Sequence, residues 1–183
     1  IDYPEYDIEE LTEEKTIRVL SEIKEELIKL EENLIKCSNV YCFLFGYNEE
    51  DFLVHLANSL MVSADNAHAV HPNYTEKADP TNRPYLNEGI VIKYNANQKY
   101  CTDGISTAIF KELCREADVP YQTFVNRSDI AGGSTLGNIS NTQVPMNTVD
   151  IGLPQLAMHS AVETAGMKDT EYAVRALKEF WGE

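Results

Sequence analysis

An α/β fold, a sheet with helices flanking it, is the architecture this sequence predicts, and three observations predict it. Short apolar runs alternate with amphipathic stretches of ten or more residues, clusters of turn-forming residues separate them, and the composition is globular. Over 183 residues the chain is 43% hydrophobic and 25% charged, with seven prolines and nine glycines. Such a chain is neither disordered nor fibrous, and its length suffices for a core that needs no disulfide or metal merely to fold.

The elements follow in order. From Glu9 to Lys36, Leu20, Ile23, Leu27, Leu30 and Leu34 recur at steps of three and four, which puts one apolar stripe on an acidic helix that Asp7 and Glu10 cap. That stripe is either a coiled-coil or subunit contact, or an amphipathic helix lying on its own domain. Val40–Tyr47 reads as a short buried strand, although periodicity does not separate it from a buried helical turn. Glu49–Met61 reads as a helix with Phe52, Leu53, Leu56 and Leu60 inward and His55 on its surface. Residues 72–88 hold three prolines among Asn, Asp and Thr, and predict a surface loop. Strands are expected at Gly89–Tyr94, Tyr121–Asn126 and Thr148–Gly152, a helix capped by Asp103 at Asp103–Ala117, and a closing helix at Thr170–Trp181. Two domains result: an acidic helical arm over residues 1–48 and an α/β domain over residues 49–183.

Charge excludes several functions. Fifteen basic and thirty acidic residues leave a formal charge of -15, so attraction to nucleic acid phosphates or to anionic lipid is opposed. Residues 1–51 alone carry 15 acids against 5 bases. No run approaches a membrane span, and the acidic start is unlike a secretory signal, so a cytoplasmic protein is expected, with no nucleic-acid or membrane partner. Cys37, Cys42, Cys101 and Cys114 fit no metal-binding or disulfide register and are expected to be free, buried thiols. A first residue of Ile rather than Met points to processing or to a piece of a longer chain.

In an α/β sheet, ligands gather where strands end and loops begin. Ala64–His71, the end of the strand at Lys93, Asn126–Gly137 and Gly152–Ser160 fall at such places, and they hold three of the four histidines together with Asp65. Imidazole and carboxylate are the usual ligands of a hydrolytic zinc ion, but without an HExxH spacing the same residues are equally suited to structural hydrogen bonds. The run Gly132-Gly-Ser-Thr-Leu-Gly137 is either an anion-holding nest or a tight turn between a strand and a helix, and it lacks the lysine of a phosphate loop.

Several segments carry a denser signal: SADNAHAVHPNY (63–74), NRPYL (82–86), GIVIKYNANQKY (89–100), NRSDIAGGSTLGNISNTQV (126–144), VDIGLPQLAMHS (149–160) and ETAGMKDTEY (163–172). From about Phe52 onward the chain resembles the C-terminal part of the catalytic domain of the aspartyl aminopeptidase family of zinc exopeptidases. The resemblance implies part of a zinc-exopeptidase-type sheet, two zinc ions, a peptide substrate with an acidic N-terminal residue, and a homo-oligomer. It makes Asp65 a ligand of one ion and His159 a ligand of the other. Lys93 would hold the acidic side chain of the substrate, and His68, His71, Asp129, Gly132 and Gly133 would line the pocket.

The family's other elements do not occur in this sequence. Its first zinc-binding His, its bridging Asp and its adjacent Glu pair in an Asp-Asn-Glu-Glu-Val-Gly type motif are absent, and Glu25-Glu26, Glu31-Glu32 and Glu49-Glu50 read as helix surface. A catalytic zinc takes about three protein ligands and a water, so the chain alone is expected to be catalytically silent, with no catalytic residue of its own. Two alternatives accompany the peptidase reading: an inactive interaction or oligomerisation module derived from the enzyme, or one half of a split enzyme.

Overall fold

The computed structural model describes residue 46 and residues 48–182, so the acidic helix, the strand expected at Val40–Tyr47, Cys37 and Cys42 lie outside the described residues. The chain divides into two compact units, residues 1–54 and 55–183. In the first, the described part is the opening of helix α1 (Glu49–Ala57), where Asn48 and Asp51 each accept the other's backbone N–H, at 3.0 and 2.9 Å. This reciprocal pair satisfies donors that a helix start leaves open.

The second unit contains β1 (Leu60–Ala64), β2 (Ala67–His68), a 3-10 turn at Thr75–Lys77, β3 (Ile90–Tyr94), α2 (Gly104–Glu116), β4 (Tyr121–Val125), α3 (Leu136–Gln143), β5 (Asn147–Gly152), β6 (Pro154–Leu156), β7 (Thr164–Ala165) and α4 (Met167–Trp181). Four strands form one sheet in the order β1-β5-β3-β4, and three short ones form a second in the order β2-β6-β7. In the larger sheet β1 runs parallel to β5, β3 parallel to β4, and β3 antiparallel to β5.

Alternation along β3 explains how the sheet divides core from site. Ile90 and Ile92 are fully buried against Phe110 and Cys114 of α2 and Ala176 of α4, and Val149 and Ile151 of β5 join that cluster. Val91 and Lys93, one residue out of phase, point to the other face, where Val91 packs with Ala67, Tyr100 and Phe124. One face is thus roofed by helices, and the other is left for a pocket. The helix α2 starts as the sequence indicates: Asp103 accepts the Ser106 N–H at 2.8 Å while the Ser106 hydroxyl oxygen accepts the Asp103 N–H at 3.0 Å.

Several details differ from expectation. The helix read over Glu49–Met61 stops at Ala57, and Leu60 and Met61 begin a strand whose residues pair with Asn147–Ile151. Apolar residues spaced four apart suit a helix, but the gain from pairing β1 with a buried strand overrides that local pattern. Leu53, read as inward, is 58% exposed. After the glycine run comes an eight-residue helix, α3, and the closing helix starts at Met167 rather than Thr170. Cys114 is a free buried thiol as expected, whereas Cys101 is free and only half-buried. No helix among the described residues is long and apolar enough to cross a membrane.

Candidate metal and substrate pocket

A cavity of about 640 Å³ opens on the face of the sheet opposite α2 and α4, lined by Asp65, His68, His71, Lys93, Gly132, Gly133 and His159. Seven of the eight residues predicted for the site therefore line one cavity. The eighth, Asp129, is not among the lining residues: its carboxylate is taken by Arg127, with Nε 2.7 Å from Oδ1 and Nη2 donating to Oδ2 at 2.7 Å.

Asp65 follows the last residue of β1, and its N–H donates to the Ile151 carbonyl at 3.0 Å. The chain passes so close to β5 here that a Cβ on Gly152 would lie 1.9 Å from the Asp65 carbonyl oxygen. Only a residue without a side chain permits that approach. The Asp65 side chain is 60% exposed.

Lys93 is 2% exposed, and its ammonium is held by backbone oxygens: Nζ donates to the carbonyls of Asp65 at 3.2 Å and Asn66 at 3.4 Å. Asp65 Oδ2 lies 3.8 Å away, and the Tyr100 ring stands 5.2 Å from the nitrogen. Burial pushes the Lys93 pKa down from its ordinary value, and the charges of Asp65 and Asp150 oppose that shift. Burial also lowers the pKa of His68, helped by the neighbouring His159 and Lys93, while Asp65 acts the other way. His68 therefore lies within electrostatic range of all three.

His159 is reached through a bent segment. Ala157 and His159 have φ of 58° and 67°, in the left-handed region, and the His159 N–H donates to Glu163 Oε1 at 2.6 Å. His71 turns inward to its own loop, with Nδ1 accepting the Asn73 N–H at 3.1 Å and its ring 5.1 Å from that of Tyr74. The glycine run is anchored from below: Asn126 Oδ1 would be 2.6 Å from a Cβ on Gly132, and the Thr135 hydroxyl donates to the buried Asp150 at 2.6 Å.

Lys77, Tyr100, Asn126 and Arg127 also line the cavity; Asn126 and Arg127 open a segment expected at the site without being singled out in it, and Lys77 and Tyr100 were not named as site residues. Nor was Asp150, although a carboxylate inside the apolar run Val149-Asp150-Ile151 is a signal visible in the letters.

The donor types fit a zinc ion, since a solvent-facing carboxylate and an imidazole line the same cavity. The number falls short: among the described residues no three His, Cys, Asp or Glu side chains converge on one point.

Comparison with known proteins bears on the fold and the family. A probable M18 family aminopeptidase 2 of Clostridium acetobutylicum is 55% identical over 137 residues, covering 75% of this chain and 32% of its own length. Among solved structures, a chain of the cryo-EM structure of the Ape4 and Nbr1 complex superposes with a TM-score of 0.78 at 42% identity, covering 81% of this chain and 28% of that one. The S. cerevisiae mApe1 dodecamer superposes with a TM-score of 0.69 at 28% identity, over 84% of this chain and 34% of its own. The chain spans about a third of the length of the curated relatives it matches. Residues 30–181 match the family described as aminopeptidase I zinc metalloprotease (M18), and the chain belongs to that family.

Proposed function

We propose that the chain supplies one portion of a zinc aminopeptidase site that releases N-terminal, preferably acidic, residues from peptides. The observation that carries this reading is that Asp65, Lys93 and His159 line one cavity. Asp65 and His159 would each hold one of two zinc ions, and Lys93, paired with a substrate carboxylate, would select an acidic first residue. A neutral first residue leaves that buried ammonium without its counter-charge, which is the physical basis of the selectivity. Zinc, when bound, supplies Lewis-acid polarisation and lowers the pKa of water.

With one donor to each ion the chain by itself is catalytically silent, and complementation by further ligands is required. Residues 1–48 form an acidic arm, and residues 49–183 form the C-terminal part of the catalytic domain. The dodecameric state of the mApe1 relative supports a homo-oligomer, and a cytoplasmic setting suits an acidic chain without a membrane-crossing helix among its described residues.

Isothermal titration of the chain with zinc tests the reading. Weak binding is expected, reduced by Asp65→Asn and by His159→Gln separately and abolished by both, with no cleavage of an aspartyl amide. Binding that is indifferent to both substitutions would remove the metal assignment, and cleavage by the purified chain would refute its dependence on further ligands.

A further inference from the structure

The ionised side chains around the cavity run against the composition of the chain. Thirty acids face fifteen bases overall, yet the cavity wall holds Lys77, Lys93 and Arg127 against Asp65 and Asp79. Four of these five are already committed. Asp79 Oδ1 accepts the N–H groups of Thr81 and Asn82 at 3.0 and 2.7 Å, so its carboxylate is turned into its own loop. Arg127 is neutralised by Asp129, and Lys93 and Asp65 adjoin each other on the inner wall.

Lys77 is different. It is exposed, and among the described residues no ion pair within 4.0 Å holds its ammonium; the Asp129 carboxylate, which Arg127 already engages, acts on it only from farther off. It ends the 3-10 turn Thr75–Lys77, and Arg127 grips that turn by donating Nη1 to the Glu76 carbonyl. The same guanidinium therefore binds its own Asp129 and fixes the strand of loop that carries Lys77. A cavity of about 640 Å³ is of a size that holds a drug-sized ligand, more than a single side chain.

We propose that Lys77 is a second anion-reading point, which receives a carboxylate carried by the peptide beyond its first residue. This rests on the reading of Lys93 given above and extends it: the preferred substrates have an acidic first residue and a further acidic residue close behind. Lys93 acts from inside, desolvated and rigid, and Lys77 acts at the mouth, where solvent weakens each charge pair. Its contribution is accordingly modest and salt-dependent.

The test is binding of three C-terminally labelled peptides to the full chain by fluorescence anisotropy at low salt: Asp-Glu-Ala-Ala, Asp-Gln-Ala-Ala and Asn-Gln-Ala-Ala. Asp-Glu is expected to bind roughly 3- to 10-fold more tightly than Asp-Gln, a gap that shrinks with added salt. Lys77→Gln should close the gap, Lys77→Arg should keep it, and Lys99→Gln, a charge change on a residue outside the cavity, should leave it intact. Equal affinity for Asp-Glu and Asp-Gln, with Asp-Gln still favoured over Asn-Gln, would overturn the role of Lys77 alone. No preference for Asp over Asn, or no binding of any peptide, would overturn the reading of Lys93 and this inference with it.

Discussion

Thr135 Oγ1 donates to Asp150 Oδ1 at 2.6 Å, and through that bond a fully buried carboxylate in the middle of β5 holds the start of α3. The other oxygen, Oδ2, accepts the Cys101 N–H at 2.6 Å and so holds the residue after Tyr100 as well. Asp150 is the post to which two cavity-lining segments are tied. Asp150→Ala would leave both donors without an acceptor, at about 1–3 kcal/mol for each orphaned group. A loss of at least about 2 kcal/mol in urea unfolding is expected, and a change within error would contradict the assignment. Gly137→Ala should also destabilise, because the added carbon would meet Asp150 Oδ1 at 2.7 Å and Ser63 Oγ at 2.9 Å.

On the proposed reading Lys93 serves recognition and not stability. A buried ammonium has surrendered its water for two carbonyls and a partly solvated carboxylate, and replacing such groups by apolar side chains of similar size is commonly neutral or stabilising. Lys93→Met is expected to raise the urea midpoint, or leave it unchanged, while erasing discrimination between Asp- and Asn-headed peptides. A clear drop in midpoint would show that the ammonium is a net structural support.

The Asp103 cap makes a pH-dependent contribution. Hydrogen bonds from Ser106, chiefly from its backbone N–H, hold the Asp103 carboxyl below its usual pKa. The folded value is below the unfolded one, so the stabilisation is complete above the unfolded pKa and is lost as pH falls through the folded value. Asp103→Ala should cost about 1 kcal/mol at neutral pH, and the gap between the two proteins should narrow as pH falls through the carboxylate range. A gap that stays constant with pH would dissociate the cap from the ionised carboxylate.

Burial pushes the Cys114 thiol up to about 12. The thiolate is the reactive form, so timed alkylation followed by mass spectrometry should find Cys114 unmodified in the native protein and labelled on unfolding. Labelling in native buffer at the rate of an exposed thiol would show that the α2 side of the core opens freely.

Much of the second unit was readable from periodicity. The strands at Ile90–Tyr94 and Tyr121–Val125 and the capped helix α2 come within a residue or two of their expected bounds, since each couples a clear pattern to a local stop signal. β1 was not readable. Leu60 and Met61 continue the spacing of the helix before them, and what makes them a strand is β5, nearly ninety residues away in sequence. The site divides similarly. Asp65, Lys93 and His159 belong to distinctive sequence segments, and so does Arg127, whereas Lys77 comes from the loop between such segments, which Arg127 grips through the Glu76 carbonyl. Asp129 was readable as chemistry but not as geometry, because the partner that claims it stands only two residues back.

The bend at Ala157 and His159 fixes the direction in which the imidazole leaves the chain. A non-glycine residue in the left-handed region is disfavoured by on the order of 1–2 kcal/mol, and here the Glu163 carboxylate clasps the His159 amide to keep it there. On the proposed reading, in which His159 holds a zinc ion, a backbone pinned in this way leaves less to be ordered on capture than a slack loop would, and relaxing this one turn should loosen metal affinity without touching a single ligand atom.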